Sequence, residues 1–335
     1  MTRPAAPAAV AVEEAEVTTT PARTPSTAED GTTSPVLVGT APDSWGVWFP
    51  DDPQQTPWER FLDEVVEAGY HWIELGPYGY LPTDASRLAD ELSARDLKVS
   101  AGTVFTAFHR AGADERQATW DQIHQVAELT AAVGGEHIVV IPAMWRDDVT
   151  GEAVEPGTLD SDGWRRLAAG HDELGAVLEE KYGLAQQFHS HADSHVCSMD
   201  EILRFLEETD PQRVSLCLDT GHAEYGGASS AELIRRHPDR IGYLHLKQID
   251  PKIMEVVRRD DLTWAAANKA GVMVEPPAGL PDLSVVIDEL ERLDRSFFGI
   301  VEQDMYPVES FDVPLPIATR TRRYLCGCGS RTRIR

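Results

Sequence analysis

From Val36 onward the chain alternates short apolar or β-branched runs with longer stretches whose apolar positions recur at helical spacing. Parallel strands joined by crossover helices produce that alternation. The runs predict strands at Val36–Thr40, His71–Leu75, Lys98–Gly102, His137–Ile141, Leu184–His189, Val214–Asp219, Ile241–Leu246 and Phe298–Glu302. Between them the spacing predicts helices at Trp58–Glu67, Ala85–Ala94, Glu115–Val133, Gly163–Lys181, Met199–Glu207, Ala231–Arg236 and Leu283–Leu293. In the first helix Leu62, Val65, Val66 and Ala68 recur at helical spacing, and Gly69 supplies the stop. Eight strand–helix units, with no G-x-G-x-x-G after the first strand, favour a closed (β/α)8 TIM barrel of the α/β class over an open doubly wound sheet.

The stretch from Pro251 to Pro281 is longer than an ordinary crossover, which predicts an insertion over the barrel mouth: a helix at Ile253–Lys269, then a Pro/Gly loop. A single barrel domain is expected over residues 36–325, preceded by a disordered leader at 1–35 and followed by a tail at 326–335.

Charge narrows the function. The 335 residues hold 30 basic and 56 acidic side chains, a formal net charge of −26. Such an excess repels a phosphate backbone and an anionic membrane surface, so neither nucleic acid nor membrane is an expected partner. No stretch approaches the run of about 20 apolar residues that a membrane span needs, and the N-terminal stretch lacks the pattern of a secretory signal. Cys197, Cys217, Cys326 and Cys328 are few for a chain of this length, which suggests a reducing, cytoplasmic setting. Cys326-Gly-Cys328 lacks a second Cys or His pair nearby and reads as two tail thiols rather than a metal site.

In a barrel of this type the loops after the strands surround one pocket, so polar residues at strand ends carry the chemistry. Here those ends are Glu74, His189-Ser190-His191, Asp219-Thr220-Gly221-His222, His245-Leu246-Lys247 and Glu302-Gln303-Asp304. Imidazole nitrogen and carboxylate oxygen together suit manganese, cobalt or zinc with positions left open for substrate. His189, Asp219, His245 and Glu302 come from four strands and can converge on one ion, which would remove the cost of burying each alone.

At these residues, and at Gly76-Pro77-Tyr78-Gly79-Tyr80-Leu81-Pro82, the chain resembles the xylose-isomerase-like barrel superfamily, and within it the inosose dehydratases. The resemblance implies a divalent metal and a polyol or keto-sugar substrate, with Asp219, His245 and Glu302 matching metal ligands. Isomerases and epimerases of the superfamily have a glutamate where this chain has His189; if His191 points inward instead, the ligand moves by two residues. The resemblance also sets His222 and Lys247 near the substrate and makes Glu74 a hydroxyl-binding residue. It implies that pairing into a homo-oligomer is common.

A cation on a ketone oxygen and its neighbouring hydroxyl acidifies the carbon-bound hydrogen and stabilises an enediolate. Isomerisation and epimerisation are well served by two facing glutamates. His189 breaks that symmetry, so the expected outcome is loss of water from an inosose-like keto-cyclitol. Glu302 or Lys247 is then the candidate base, and His191 or His222 the candidate acid. Tyr78, Trp45 and His109 are candidate substrate contacts, with local packing equally open for each. The alternatives are a keto-sugar isomerase or epimerase, a C-glycoside deglycosidase subunit with a small partner subunit, and a non-catalytic sugar-binding barrel.

Overall fold

The computed structural model describes residues 36–147 and 149–328; the expected leader and residues 329–335 of the tail lie outside the described residues. Eight strands close into a parallel barrel: β1 (Val36–Thr40), β2 (Trp72–Glu74), β3 (Lys98–Thr106), β4 (His137–Pro142), β5 (Ala185–His189), β6 (Ser215–Asp219), β7 (Ile241–Leu246) and β10 (Phe297–Val301). Their order around the barrel is β1-β10-β7-β6-β5-β4-β3-β2. The seam is made by β1 pairing with β10 from Val36↔Phe297 to Thr40↔Val301, and with β2 at Thr40↔Ile73. The expected (β/α)8 TIM barrel is therefore the fold.

The helices are α1 (Trp58–Ala68), α2 (Ala85–Ser93), α3 (Ala113–Ala132), α4 (Ser161–Val177), α5 (Met199–Glu208), α6 (Thr220–Tyr225), α7 (Ser230–Arg236), α8 (Pro251–Asp260), α9 (Trp264–Lys269), α10 (Leu283–Leu290) and α11 (Pro314–Leu325). Local chemistry sets their ends. Gly69 closes α1 with φ +89°, a left-handed conformation that glycine adopts without steric cost. Ser198 and Glu201 form a reciprocal capping box at the start of α5.

The alternation of strand side chains builds both the core and the site. Trp72, Ala101, Cys217, Tyr243 and Ile300 pack together, within one apolar cluster, in the barrel interior. Two residues further along the same strands stand Glu74, Thr103, Asp219, His245 and Glu302, so the period of two carries apolar filling below into polar groups above. Gly39 of β1 leaves room at the seam: a Cβ there would lie 2.6 Å from the Trp72 carbonyl oxygen and from Ile300 Cδ1.

Several elements differ from expectation. Strand β3 runs on to Thr106 because Thr103, Val104, Phe105 and Thr106 are all strand formers paired to β4. The insertion holds two helices, since Asp261 takes φ +50° after α8 and the Thr263 hydroxyl then caps α9 through the Ala266 N–H at 3.2 Å. Around them β8 (Gln248–Ile249) pairs antiparallel with β9 (Met273–Val274). Helix α11 was not among the expected helices; it packs on α1 across the seam, with the Tyr70 hydroxyl donating to the Ala318 carbonyl at 3.2 Å. No disulfide joins the cysteines, and no helix among the described residues is long and apolar enough to cross a membrane.

One buried titratable group ties the shell to pH. His171 of α4 is fully buried between Phe108, Phe188 and Phe205, with Nδ1–H donating to Gln186 Oε1 at 3.0 Å. Burial lowers its pKa to about 4. The folded state thus binds this proton less readily than the unfolded chain, so stability is retained above about pH 6.5 and lost as pH falls towards 4. Acidification from pH 7 to pH 4.5 should remove about 2.5 kcal/mol through this group. Urea unfolding across that range checks it: His171→Gln should show a shallower loss than the parent, and an identical slope would rule the effect out.

Candidate metal centre at the barrel mouth

Strand ends bring together the groups that the sequence places far apart. His189 Nε2 lies 3.3 Å from Asp219 Oδ2, and His245 Nδ1 lies 2.9 Å from Glu302 Oε2 and 3.6 Å from Asp219 Oδ2. His189, Asp219, His245 and Glu302 are all buried, and each offers one ligand atom within 4.8 Å of the others. Position His189 is inward, two past the inward Gln187 on β5. His191 lies beyond the strand and stacks instead on His222, ring centroids 3.9 Å apart.

The backbone around these side chains is tightly specified. Asp219 ends β6 and also caps α6, its Oδ1 accepting the His222 N–H at 2.7 Å. The Thr220 hydroxyl donates to the Lys247 carbonyl at 2.6 Å and accepts the Lys247 N–H at 3.0 Å. At Gly221 a Cβ would fall 2.7 Å from Lys247 Cγ, so the glycine makes room for the lysine stem. Across the seam, the hydroxyls of Thr40 and Ser44 donate to the Val301 carbonyl at 3.0 and 3.1 Å, and Ser44 Oγ accepts the Gln303 N–H at 3.1 Å. These bonds fix the direction of Glu302.

The electrostatics are dominated by acids. Lys247 Nζ sits 2.8 Å from Glu302 Oε2, 2.8 Å from Asp304 Oδ2 and 3.3 Å from Asp219 Oδ2. Burial alone would lower its pKa, but Asp219, Asp304 and Glu302 hold it well above the ordinary lysine value. Burial opposes ionisation of Glu302 and Asp219, yet the cationic neighbours keep both well below the usual carboxylate range. Asp43 stands further out, its pKa raised by burial and by Glu302 and Asp304.

One orphaned atom tests whether a cation fits. His245 Nδ1 is buried without a hydrogen-bond partner, and His189 presents its Nε2 to Asp219 Oδ2. His245 Nε2 is 2.7 Å from Glu74 Oε1, which leaves the Nδ1 lone pair facing the Glu302 and Asp219 oxygens. Lone pairs turned towards one another in a buried place are reconciled by a positive charge at their centre. The donor set, two imidazoles and two carboxylates, suits a divalent transition metal.

The surroundings weigh against part of the expected chemistry. Lys247 lies among three carboxylates that favour its ammonium form, which opposes the base role expected of it. His191 has its pKa lowered to about 3 by burial and by His189, and burial with His191 pushes His222 well below the ordinary histidine value. Both shifts favour the neutral ring, which opposes the acid role expected of either. His191 Nδ1 donates to the Ala192 carbonyl at 2.7 Å, whereas His222 Nδ1 accepts the Ala192 N–H at 3.2 Å and so keeps its proton on Nε2.

The expected substrate contacts are engaged by other protein groups. Trp45 is 0% exposed, its Nε1–H donating to Glu64 Oε2 at 2.8 Å, and so cannot face a ligand. His109 is buried against Glu155 at 2.9 Å and the His195 ring at 4.7 Å. Glu74 lies behind His245 rather than open to the mouth, and Tyr78 packs half-buried against the apolar core. Trp264 of α9 covers His222 with ring centroids 4.7 Å apart, held by Asp193 Oδ2, which accepts the Trp264 N–H at 2.8 Å. Tyr306 stacks on Trp48 at 5.2 Å. Asp304 had a readable signal, since it follows Glu302 at the same strand parity; Trp264 had none, because its position depends on how the insertion folds back.

His109, Glu155 and His195 also bring possible ligand atoms together. Arg110 already pairs with Glu155 at 3.0 Å, and a guanidinium there opposes a second cation.

A family model described as xylose isomerase-like TIM barrel matches residues 62–302. The chain is 28% identical over 301 residues to an inosose dehydratase of Geobacillus thermodenitrificans (strain NG80-2), covering 87% of this chain and 98% of that relative. Among solved structures, an L-ribulose 3-epimerase superposes with a TM-score of 0.64 at 17% identity, covering 87% of this chain and 93% of that one. The IolI protein with a bound zinc atom also gives a TM-score of 0.64, at 15% identity over 88% of this chain and all of its own.

Asp219→Asn keeps an oxygen to cap α6 but removes a ligand charge. It should weaken binding of cobalt by about 100-fold in competition with a chromophoric chelator, with little change in the thermal midpoint; undiminished binding would place the ion elsewhere.

Proposed function

We propose, from the premise that this chain belongs to the xylose isomerase-like TIM barrel family, that it is a divalent-metal-dependent dehydratase acting on an inosose-like keto-cyclitol. The inosose dehydratase relatives support the reaction, and the zinc reported for IolI supports a metal of the manganese, cobalt or zinc class. His189, Asp219, His245 and Glu302 would hold the ion. When bound, a divalent cation withdraws electrons from a ketone oxygen and so acidifies the adjacent carbon-bound hydrogen.

The observation that carries the lyase outcome is the 2.8 Å approach of Lys247 Nζ to Glu302 Oε2. Glu302 takes the carbon-bound proton. Lys247 Nζ gives a proton to the departing β-hydroxyl, which leaves as water. The short contact between the two lets the proton held on Glu302 pass to Nζ, which restores the starting state. On the other side His189 stands where two-faced proton return would need a second carboxylate. His222 Nε2–H donates to a substrate hydroxyl, and Trp264 with His191 keeps bulk water from that side.

Charge also selects the substrate. Asp219, Glu302 and Asp304 surround a single lysine, while Arg110 and Arg146 are engaged by Glu155 and Asp193. With Lys247, Arg110 and Arg146 each already paired to carboxylates, a neutral polyol is favoured over a phosphorylated or carboxylated sugar.

Incubation with 2-keto-myo-inositol and manganese or cobalt should yield a product lighter by one water. Unchanged substrate, or solvent deuterium uptake without loss of water, would overturn the dehydratase reading. Lys247→Met should lower turnover by about 100-fold or more while leaving metal content intact.

A further inference from the structure

We propose that Glu74 is a positioning residue that dictates which nitrogen of His245 faces the metal centre. The inference rests on the reading of His189, Asp219, His245 and Glu302 as that centre. Glu74 is 1% exposed, and both of its oxygens are committed: Oε1 accepts His245 Nε2–H at 2.7 Å and Oε2 accepts the Thr103 hydroxyl at 3.2 Å.

A break in the barrel ladder brings it there. Between Ile73 and Glu74 the register against β3 slips, so Ile73 pairs with Val99 while Glu74 pairs with Ala101, skipping Ser100. A bulge of this kind re-aims the side chain beside it. The skipped residue is tied down on both sides: Ser100 Oγ donates to the Ile73 carbonyl at 2.9 Å and accepts the Tyr243 hydroxyl at 2.7 Å. Tyr243 is two residues before His245 on the inward face of β7. The irregularity therefore couples the strand carrying the carboxylate to the strand carrying the imidazole.

The consequence is chemical. With the Nε2 proton held by Glu74, only Nδ1 can offer a lone pair, and Nδ1 is the atom 2.9 Å from Glu302 and 3.6 Å from Asp219. A carboxylate behind a ligating imidazole also raises the basicity of the ligating nitrogen. Glu74 thus selects the ring nitrogen and strengthens it without touching ion or substrate.

The test uses the full chain loaded with zinc. Long-range nitrogen–proton NMR of the wild-type protein should show the His245 proton on Nε2, and chelator competition should show zinc affinity falling by about 10–100-fold in Glu74→Ala. Glu74→Gln, which keeps an acceptor for Nε2–H, should keep the Nε2 proton signal and lose less affinity than Glu74→Ala. A proton on Nδ1 in the wild-type protein would overturn the proposal, as would wild-type affinity in Glu74→Ala or equal losses in the two variants. Failure of the wild-type chain to take up zinc would remove the metal-centre reading itself and this inference with it.

Discussion

A closed ring of strands forces carboxylates from β6 and from the end of β10 into one buried place beside two imidazoles, and that concentration of like charge is the constraint on which the mouth is organised. Left alone, Asp219 and Glu302 would repel one another in a setting where water cannot screen them. Lys247 answers part of the problem, lying within 3.3 Å of Asp219 and 2.8 Å of both Glu302 and Asp304. It does not answer all of it: His245 Nδ1 remains buried without a hydrogen-bond partner, facing the Glu302 and Asp219 oxygens. A divalent cation among the same groups would complete the balance.

Under the proposed dehydratase reading, the same arrangement would separate this mouth from one built for epimerisation. Returning a proton to either face of a carbon is simplest with matched acids on both sides. Here one side presents His189 and the other a glutamate in contact with an ammonium, an asymmetry suited to removing a proton and delivering one to a leaving group.

Much of this was readable before any coordinates. The eight strands and the inward groups His189, Asp219, His245 and Glu302 follow from alternation and strand-end polarity, which are local signals. Errors arose where a side chain's role depends on distant neighbours. Trp45 left substrate contact and local packing equally open, and Phe61 and Glu64 of α1 enclose it. Lys247 was one of two candidate bases; the proximity of Asp304 and Glu302, which sequence spacing does not express, favours its ammonium form instead. The insertion was read as one helix because its composition is helical throughout, whereas a left-handed Asp261 divides it.

The central claim is that one divalent ion binds among these four side chains. Anomalous diffraction from crystals soaked in cobalt tests it most directly. The account predicts a single strong peak bonded to His189, Asp219, Glu302 and the Nδ1 atom of His245. No peak there, or a peak bonded to His245 through Nε2 with Glu74 displaced, would contradict it.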